Sequence, residues 1–315
     1  MFQPAFLALD KPVGMRSTKC VEEVRRALCA CRRGIKVGHG GTLDSSASGV
    51  VVMLISSATR LSNIVMMMPK VYRATIRLGK ETSTCDFAGE EVFSSDWRHV
   101  REYDIDLALC SCLGWRNQTP PKVSAIHVGG RRAHEIFRSG GDPEIKPRPV
   151  YVESLFRVGG VSSCGEFVLS VRCGKGTYVR GIARDIGRSL GCGAHLSSLI
   201  RESVGTFSIS GAARFGESGE LNPSELEKAM MPLSELSEFL PVYALPDEDM
   251  RRLEKGLAAR FSNASRRSFG NFAPEGMIAF ISGGTFSIAR LKREGGEILA
   301  VPEINILGGM AEEKG

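Results

Sequence analysis

Apolar positions in this chain fall into short runs and alternations rather than long helical stripes. Ala5–Leu9 is an apolar run of strand length, and Lys11-Pro12-Val13-Gly14 behind it is turn chemistry. Ser17 is placed to cap a helix with Glu22 and Glu23 in its first turn and Val21, Val24 and Leu28 on one face. Val50–Ile55 reads as a buried strand, and alternation returns in Tyr72–Leu78 and in Phe167–Val171, where Phe167, Leu169 and Val171 share a face. Between those two lies Gln118–Gly129, which Pro120-Pro121 marks as irregular and semi-rigid. After Gly176, four-residue spacing of Ile182, Ile186 and Leu190 predicts a helix that Gly191 stops. Asn222-Pro223-Ser224-Glu225 is a further helix start, with a cap and a proline at the first helical position. Pro241 and Pro246 then punctuate an expected linker. Short strands follow at Met277–Ile281, Phe286–Leu291 and Ile298–Val301, separated by glycine-rich turns.

The pattern predicts an α+β chain closed by a small β-rich module, and composition leaves that unchanged. Apolar residues make up 43% and charged residues 24% of 315, an ordinary globular balance. No apolar run approaches the roughly 20 residues that span a bilayer. Met1–Pro12 already carries Asp10 and Lys11, so no signal peptide is expected and the expected compartment is the cytoplasm. Of the nine cysteines, Cys29/Cys31 and Cys110/Cys112 form C-x-C pairs. Neither has a second pair or a histidine cluster at zinc spacing, so reduced thiols and no metal are expected.

Charge does change the picture. The net +6 divides into +10 over residues 1–207 and −4 over 208–315. A positive field over the first two thirds suits a polyanion such as nucleic acid, and serves solubility equally well. Arg25, Arg26, Arg32, Arg33 and Lys36 lie within twelve residues, as a nucleic-acid patch or as a solvated helix end.

Candidate chemistry centres on residues 37–50, V-G-H-G-G-T-L-D-S-S-A-S-G-V, a loop of small and hydroxyl residues whose backbone must pass close to something. Asp44 within it reads as a turn residue or as a carboxylate held ionised by backbone N–H groups, fit for a nucleophile or base. His39 shares that ambiguity. Arg180, at the entry to a helix after Gly174-Lys175-Gly176-Thr177-Tyr178, is either a surface arginine or the partner of a carboxylate. Tyr72, between Lys70 and Arg73, is either a half-buried strand tyrosine or a base-stacking one.

Taken together these segments resemble the TruB family of pseudouridine synthases. Gly38 to Gly49, G-H-G-G-T-L-D-S-S-A-S-G, resembles that family's G-H-T-G-T-L-D-P-x-A-x-G. Leu9-Asp10-Lys11-Pro12-Val13-Gly14 looks like its opening L-x-x-D-K-P-x-G, and Lys70-x-Tyr72-x-Ala74 like its K-x-Y-x-A. Gly79, Thr82, Thr84, Asp86 and Gly89 are similar to G-x-x-T-x-T-x-D-x-x-G, and Gln118 to Ala125 to a proline-bearing segment ending in Y-S-A. Gly176 to Arg180, Gly193 to Leu196 and Leu199-Ile200-Arg201 follow in the family's order. The sequence departs from the pattern at Gly40 (usually Thr), Ser45 (usually Pro) and Val123 (usually Tyr), and at His127 and His134, where Lys and Tyr are frequent. Gly40 on this reading makes the loop more flexible.

The resemblance implies a mixed, mostly antiparallel central sheet flanked by helices, over residues 1–240, with a PUA-like RNA-binding domain over 241–310. It implies a tRNA pseudouridine synthase acting on the T-loop uridine, without cofactor or metal, as a monomer needing no protein partner and no membrane. Asp44 is then the catalytic aspartate, Tyr72 stacks on the target base and Arg180 pairs with Asp44. His39, Gly41, Thr42, Lys70, Tyr178, Ile200 and Lys11 are implied as substrate-contacting. Three other readings use the same residues. One is a non-catalytic RNA-binding or tRNA-folding protein, and another is a guide-RNA-dependent synthase working with partner proteins. The third is a glycoside hydrolase, which needs a second carboxylate, with Asp86 the nearest.

Overall fold

A computed structural model describes residues 3–29, 34–270, 276–282 and 285–306. Cys31, Arg32 and Arg33, and with them the expected C-x-C pair with Cys29 and part of the basic stretch, lie outside the described residues, as does the end of the expected C-terminal module.

The chain divides into two compact units. The first holds Met1–Asp44, Gly49–Met68 and Val204–Gly315, the second Ser45–Ser48 and Pro69–Ser203. The first opens with β1 (Ala5–Lys11), α1 (Ser17–Cys29), β2 (Val37–His39), β3 (Ser48–Ile55) and α2 (Ser62–Met67). The second is built from β4 (Lys70–Leu78), β5 (Lys80–Thr82), β6 (Glu91–Ser94), α3 (Glu102–Cys110), β7 (Gly114–Gln118), β8 (His127–Val128), β9 (Arg131–Arg132), α4 (Ala133–Arg138), β10 (Arg148–Val158), β11 (Glu166–Cys173), α5 (Val179–Ser189) and β12 (Ala194–Val204). The chain then continues through β13 (Phe207–Ser208), α6 (Pro223–Lys228), β14 (Met230–Met231), β15 (Val242–Ala244), α7 (Asp247–Glu254), β16 (Ala259–Arg260), β17 (Ser265–Ser268), β18 (Met277–Ser282), β19 (Thr285–Glu294) and β20 (Glu297–Ile306).

In the first unit β1 pairs antiparallel with β3 from Ala5–Ile55 to Lys11–Gly49, and with β14 on its other edge. The apolar run at Ala5 becomes an almost wholly buried strand, as its composition predicts. The three expected C-terminal strands are β18, β19 and β20, each reaching beyond its apolar run. With β15, β16 and β17 they form a six-stranded sheet in the order β16-β20-β19-β18-β15-β17. The stretch between Pro241 and Pro246 is not a linker. Val242–Ala244 pairs parallel with β18 and antiparallel with β17, and Leu240 and Val242 share a core with Phe6, Val52, Phe286 and Ile288. Both prolines stand just outside the strand, where a missing N–H costs no ladder bond.

The second unit is a sheet in the order β12-β4-β11-β10-β7. Its pairings β4–β11, β11–β10 and β10–β7 are all antiparallel. Along β4 the side chains of Lys70, Tyr72, Ala74, Ile76 and Leu78 are buried while Arg73 and Arg77 are exposed, so the alternation seen in the sequence becomes a two-faced strand. The amphipathic α5 follows with Ile182 and Ile186 buried, and Gly191, in the left-handed region, ends it. The fold is α+β, with a mixed set of strands and a β-rich C-terminal module, as expected.

Candidate functional site

The loop carrying Asp44 is positioned from below. Leu43 is buried while Thr42 and Asp44 on either side are exposed, so the backbone anchors inward at 43 and presents the carboxylate outward. The anchor is Ser17. Its hydroxyl donates to Leu43 O (3.0 Å) and accepts from Leu43 N (2.9 Å), a two-point clamp across 26 residues of chain. This corrects the expectation of Ser17 as a helix cap. The helix includes Ser17 as its first residue, with Cys20 N bonding Arg16 O, and the hydroxyl is spent on the loop.

Gly40 also departs from the expected flexibility. A Cβ there would lie 2.3 Å from Cγ1 of the buried Val65, so the loop is pressed against α2 and a threonine would drive that contact apart. Gly40 N further donates to Val52 O (2.8 Å). Beside it His39 Nδ1 accepts from Gly41 N (3.3 Å), and Gly41 takes φ of 125°, which favours glycine. Lys11 is 0% exposed, and its ammonium donates to Pro12 O and Met15 O, both at 2.9 Å, holding the first turn together.

In the second unit Tyr72 is buried on β4, with Lys70 two residues before it on the same face. Ile200 lies half-buried on β12, next to the buried Arg201. Gln118 clamps Tyr178 much as Ser17 clamps Leu43: Tyr178 N donates to Gln118 Oε1 (2.9 Å), and Gln118 Nε2 donates to Tyr178 O (3.0 Å). Gly181 lets α5 approach that amide, since a Cβ would stand 2.9 Å from Gln118 Nε2.

The clamp delivers Arg180, 5% exposed, at the start of α5. Its Nη1 donates to Thr84 O (3.2 Å) and its Nη2 to Val123 O (3.0 Å), and Nη1 stands 3.6 Å from the buried Asp86 carboxylate. Asp86 Oδ1 in turn accepts from Thr84 Oγ1 (2.6 Å) and Ala88 N (3.1 Å). Asp86 is therefore engaged in holding Arg180 and its own turn. The clamping roles of Ser17 and Gln118 and the pairing of Asp86 with Arg180 do not follow from the sequence. The T-x-T-x-D spacing was the one signal available for the last of these.

Lys70 is the electrostatically unusual group. Burial, aided by the positive charges of Arg201 and Lys175, draws its ammonium down to about 7 from the ordinary 10.5. Opposite it in register, burial pushes the Cys173 thiol up to about 11. Below about pH 7 Lys70 is charged in folded and unfolded chains alike, and the fold bears the cost of burying an ammonium. Between about 7 and 10.5 the unfolded chain holds a proton that the fold lacks, so the cost is relieved as pH rises. Lys70→Met is accordingly expected to raise the urea midpoint over wild type most at pH 6, with the gap narrowing by pH 9. A gap constant across that range would show the folded ammonium to be fully compensated.

Comparison with known proteins adds a lineage to this geometry. The family model for the N-terminal domain of TruB family pseudouridylate synthase matches residues 26–179. A tRNA pseudouridine synthase B of Caulobacter sp. (strain K31) is 39% identical over 254 residues, 80% of each chain. The protein of that name from Mycobacterium avium (strain 104) is 42% identical over 223 residues, covering 70% of this chain and 71% of the other. The one from Thermobifida fusca (strain YX) is 39% identical over 278 residues, 86% and 91%. Among solved structures, a chain in a crystal structure of a Cbf5-Nop10-Gar1 complex superposes with a TM-score of 0.71 at 22% identity, over 96% of this chain and 85% of that one. That likeness concerns the fold. Among the described residues no helix is long and apolar enough to cross a membrane, and no group of His, Cys, Asp and Glu is arranged to hold a metal ion.

Proposed function

This chain belongs to the TruB family of pseudouridylate synthases, and we propose that it isomerises a uridine of tRNA to pseudouridine, the T-loop uridine being its target. The observation that carries the reading is identity of about 40% to proteins named tRNA pseudouridine synthase B over most of both chains. The loop around Asp44, anchored at its buried neighbour Leu43, supports it.

The reaction breaks the bond from uracil N1 to ribose C1′, turns the base and rejoins it through C5, expelling the C5 hydrogen. Atoms and electrons balance within the substrate, so no oxidant or energy source is called for. Asp44 either attacks covalently or takes a sugar proton, and both routes need an ionised, fixed carboxylate. Tyr72 is assigned the stacking of the flipped base, and Arg180 the counter-charge of the catalytic carboxylate, from their places in the family's motifs. Flipping a nucleotide costs a few kcal/mol, and stacking on an aromatic ring returns about 1–3 kcal/mol. His39, Gly41, Thr42, Lys70, Tyr178 and Ile200 are assigned to the RNA and the target base. Lys11 serves through the turn it holds. The catalytic part is assigned to residues 1–240 and a PUA-like RNA-binding module to 241–310, in a monomeric cytoplasmic enzyme.

The purified protein, incubated with unmodified tRNA tritiated at uracil C5, is expected to release tritium without any added protein. RNA binding without release would favour the binding-only reading, and release only with other proteins present would favour the partner-dependent one. The solved relatives with Nop10 and Gar1 share the fold at about 20% identity, which does not carry their assembly over.

A further inference from the structure

Trp115 is 76% exposed and Tyr151 39%, an unusual surface position for two large aromatic rings. They face each other across β7 and β10 in register, with ring centroids 5.3 Å apart and planes tilted by 44°. Val150 and Val152 on either side of Tyr151 are buried, so both rings stand on the outer face of the sheet, and β7 is its terminal strand. Nothing in the fold of this unit covers them.

Exposed cations flank the pair. Lys146 and Arg148, spaced by prolines, lead into Tyr151 and are exposed. On the other flank, Gly174 N donates to Tyr151 O (2.9 Å), which ties the turn carrying the exposed Lys175 to the same residue. The acid on this stretch of β10, Glu153, is matched by Arg172 at 2.8 Å. Leu113 at 41% and Phe156 at 54% are exposed on the same two chain segments, but three exposed cations beside a bare aromatic pair suit bases and phosphates together.

The pair is also tied to the segment that bears Tyr178 and Arg180. Thr177, next to Tyr178, donates its hydroxyl to Tyr151 O (3.5 Å), while Gln118, the clamp on Tyr178, lies on the strand of Trp115 but on the opposite face of the sheet. We propose that Trp115 and Tyr151 form a stacking platform for an unpaired base of the substrate RNA, outside the target nucleotide, with Lys146, Arg148 and Lys175 meeting its phosphates. The platform adds affinity and leaves the chemical step alone. This rests on the reading of the chain as an RNA-modifying enzyme.

The test uses the full-length protein and unmodified tRNA. Trp115→Ala/Tyr151→Ala is expected to bind tRNA roughly tenfold or more weakly, with KM raised to match and tritium release at saturating tRNA unchanged. Both side chains are exposed, so the variant should lose only the pair's own contact and stay folded at the assay temperature. In parallel, the part of the wild-type tryptophan emission absent from Trp115→Phe should lose its accessibility to acrylamide when tRNA is added. Unchanged affinity in the double variant, with Trp115 equally open to acrylamide in the presence of tRNA, would overturn the platform and return this face to a protein partner. Protection of Trp115 with no tritium release by wild type, with or without added proteins, would support the platform while sinking the enzymatic reading, so the two failures are separable.

Discussion

Asp44→Asn and Asp44→Ala are expected to bind tRNA like wild type and to release tritium at least about 10³-fold more slowly. The expectation of retained binding and folding is structural. Asp44 is exposed, and the Ser17 hydroxyl grips the backbone of its neighbour Leu43, a contact that a side-chain change at 44 leaves in place. An amide of the same shape preserves that geometry. It can neither attack C1′ as an anion nor accept a sugar proton, so the loss must appear in the chemical step. Single-turnover release at saturating enzyme isolates that step from binding. Release within tenfold of wild type by either variant would remove Asp44 from the mechanism and leave the family's motif without its expected chemistry in this chain.

What could be read from sequence and what could not divides by the range of the interaction. The strands at Ala5, Val50, Tyr72 and Phe167 follow from alternation and apolar runs, which are local, and so do the helix starts at Asn222 and after Gly176. The candidate loop was visible because small residues and hydroxyls crowd it. Its rigidity was not. Ser17 looks like a helix cap when only its neighbours are considered, and its true partner is 26 residues away. Gly40 looks permissive until Val65 is placed against it. Gln118 and Tyr178 are 60 residues apart, with nothing in either neighbourhood to join them. The stretch between Pro241 and Pro246 carries turn signals at both ends. It is a strand because β17 and β18 flank it, a fact no window of ten residues contains.

Arg180 shows the same limit with the largest consequence for stability. Its motif nominates it as a partner for the catalytic carboxylate, yet the geometry gives it a second acid, Asp86, with side chains 5% and 8% exposed. Removing one member of a buried pair leaves the other charge uncompensated, at a cost of about 3–5 kcal/mol. Arg180→Met is therefore expected to lose that much stability in urea unfolding, besides losing activity. The two carbonyls it serves, Thr84 O and Val123 O, would lose their donors as well. The companion variant Asp86→Asn keeps an oxygen for Thr84 Oγ1 and Ala88 N while removing the charge. Joined to Arg180→Met it should restore part of the lost stability, and the double-mutant cycle measures the coupling between the two side chains. Activity should not return with it, because the catalytic assignment of Arg180 concerns a different carboxylate. If Arg180→Met is inactive but as stable as wild type, the ion pair with Asp86 contributes nothing and the arginine serves catalysis alone. If the double variant recovers both stability and turnover, the reverse holds: Arg180 is a brace for the Thr84–Asp86 turn, and the counter-charge of Asp44 has to be sought elsewhere.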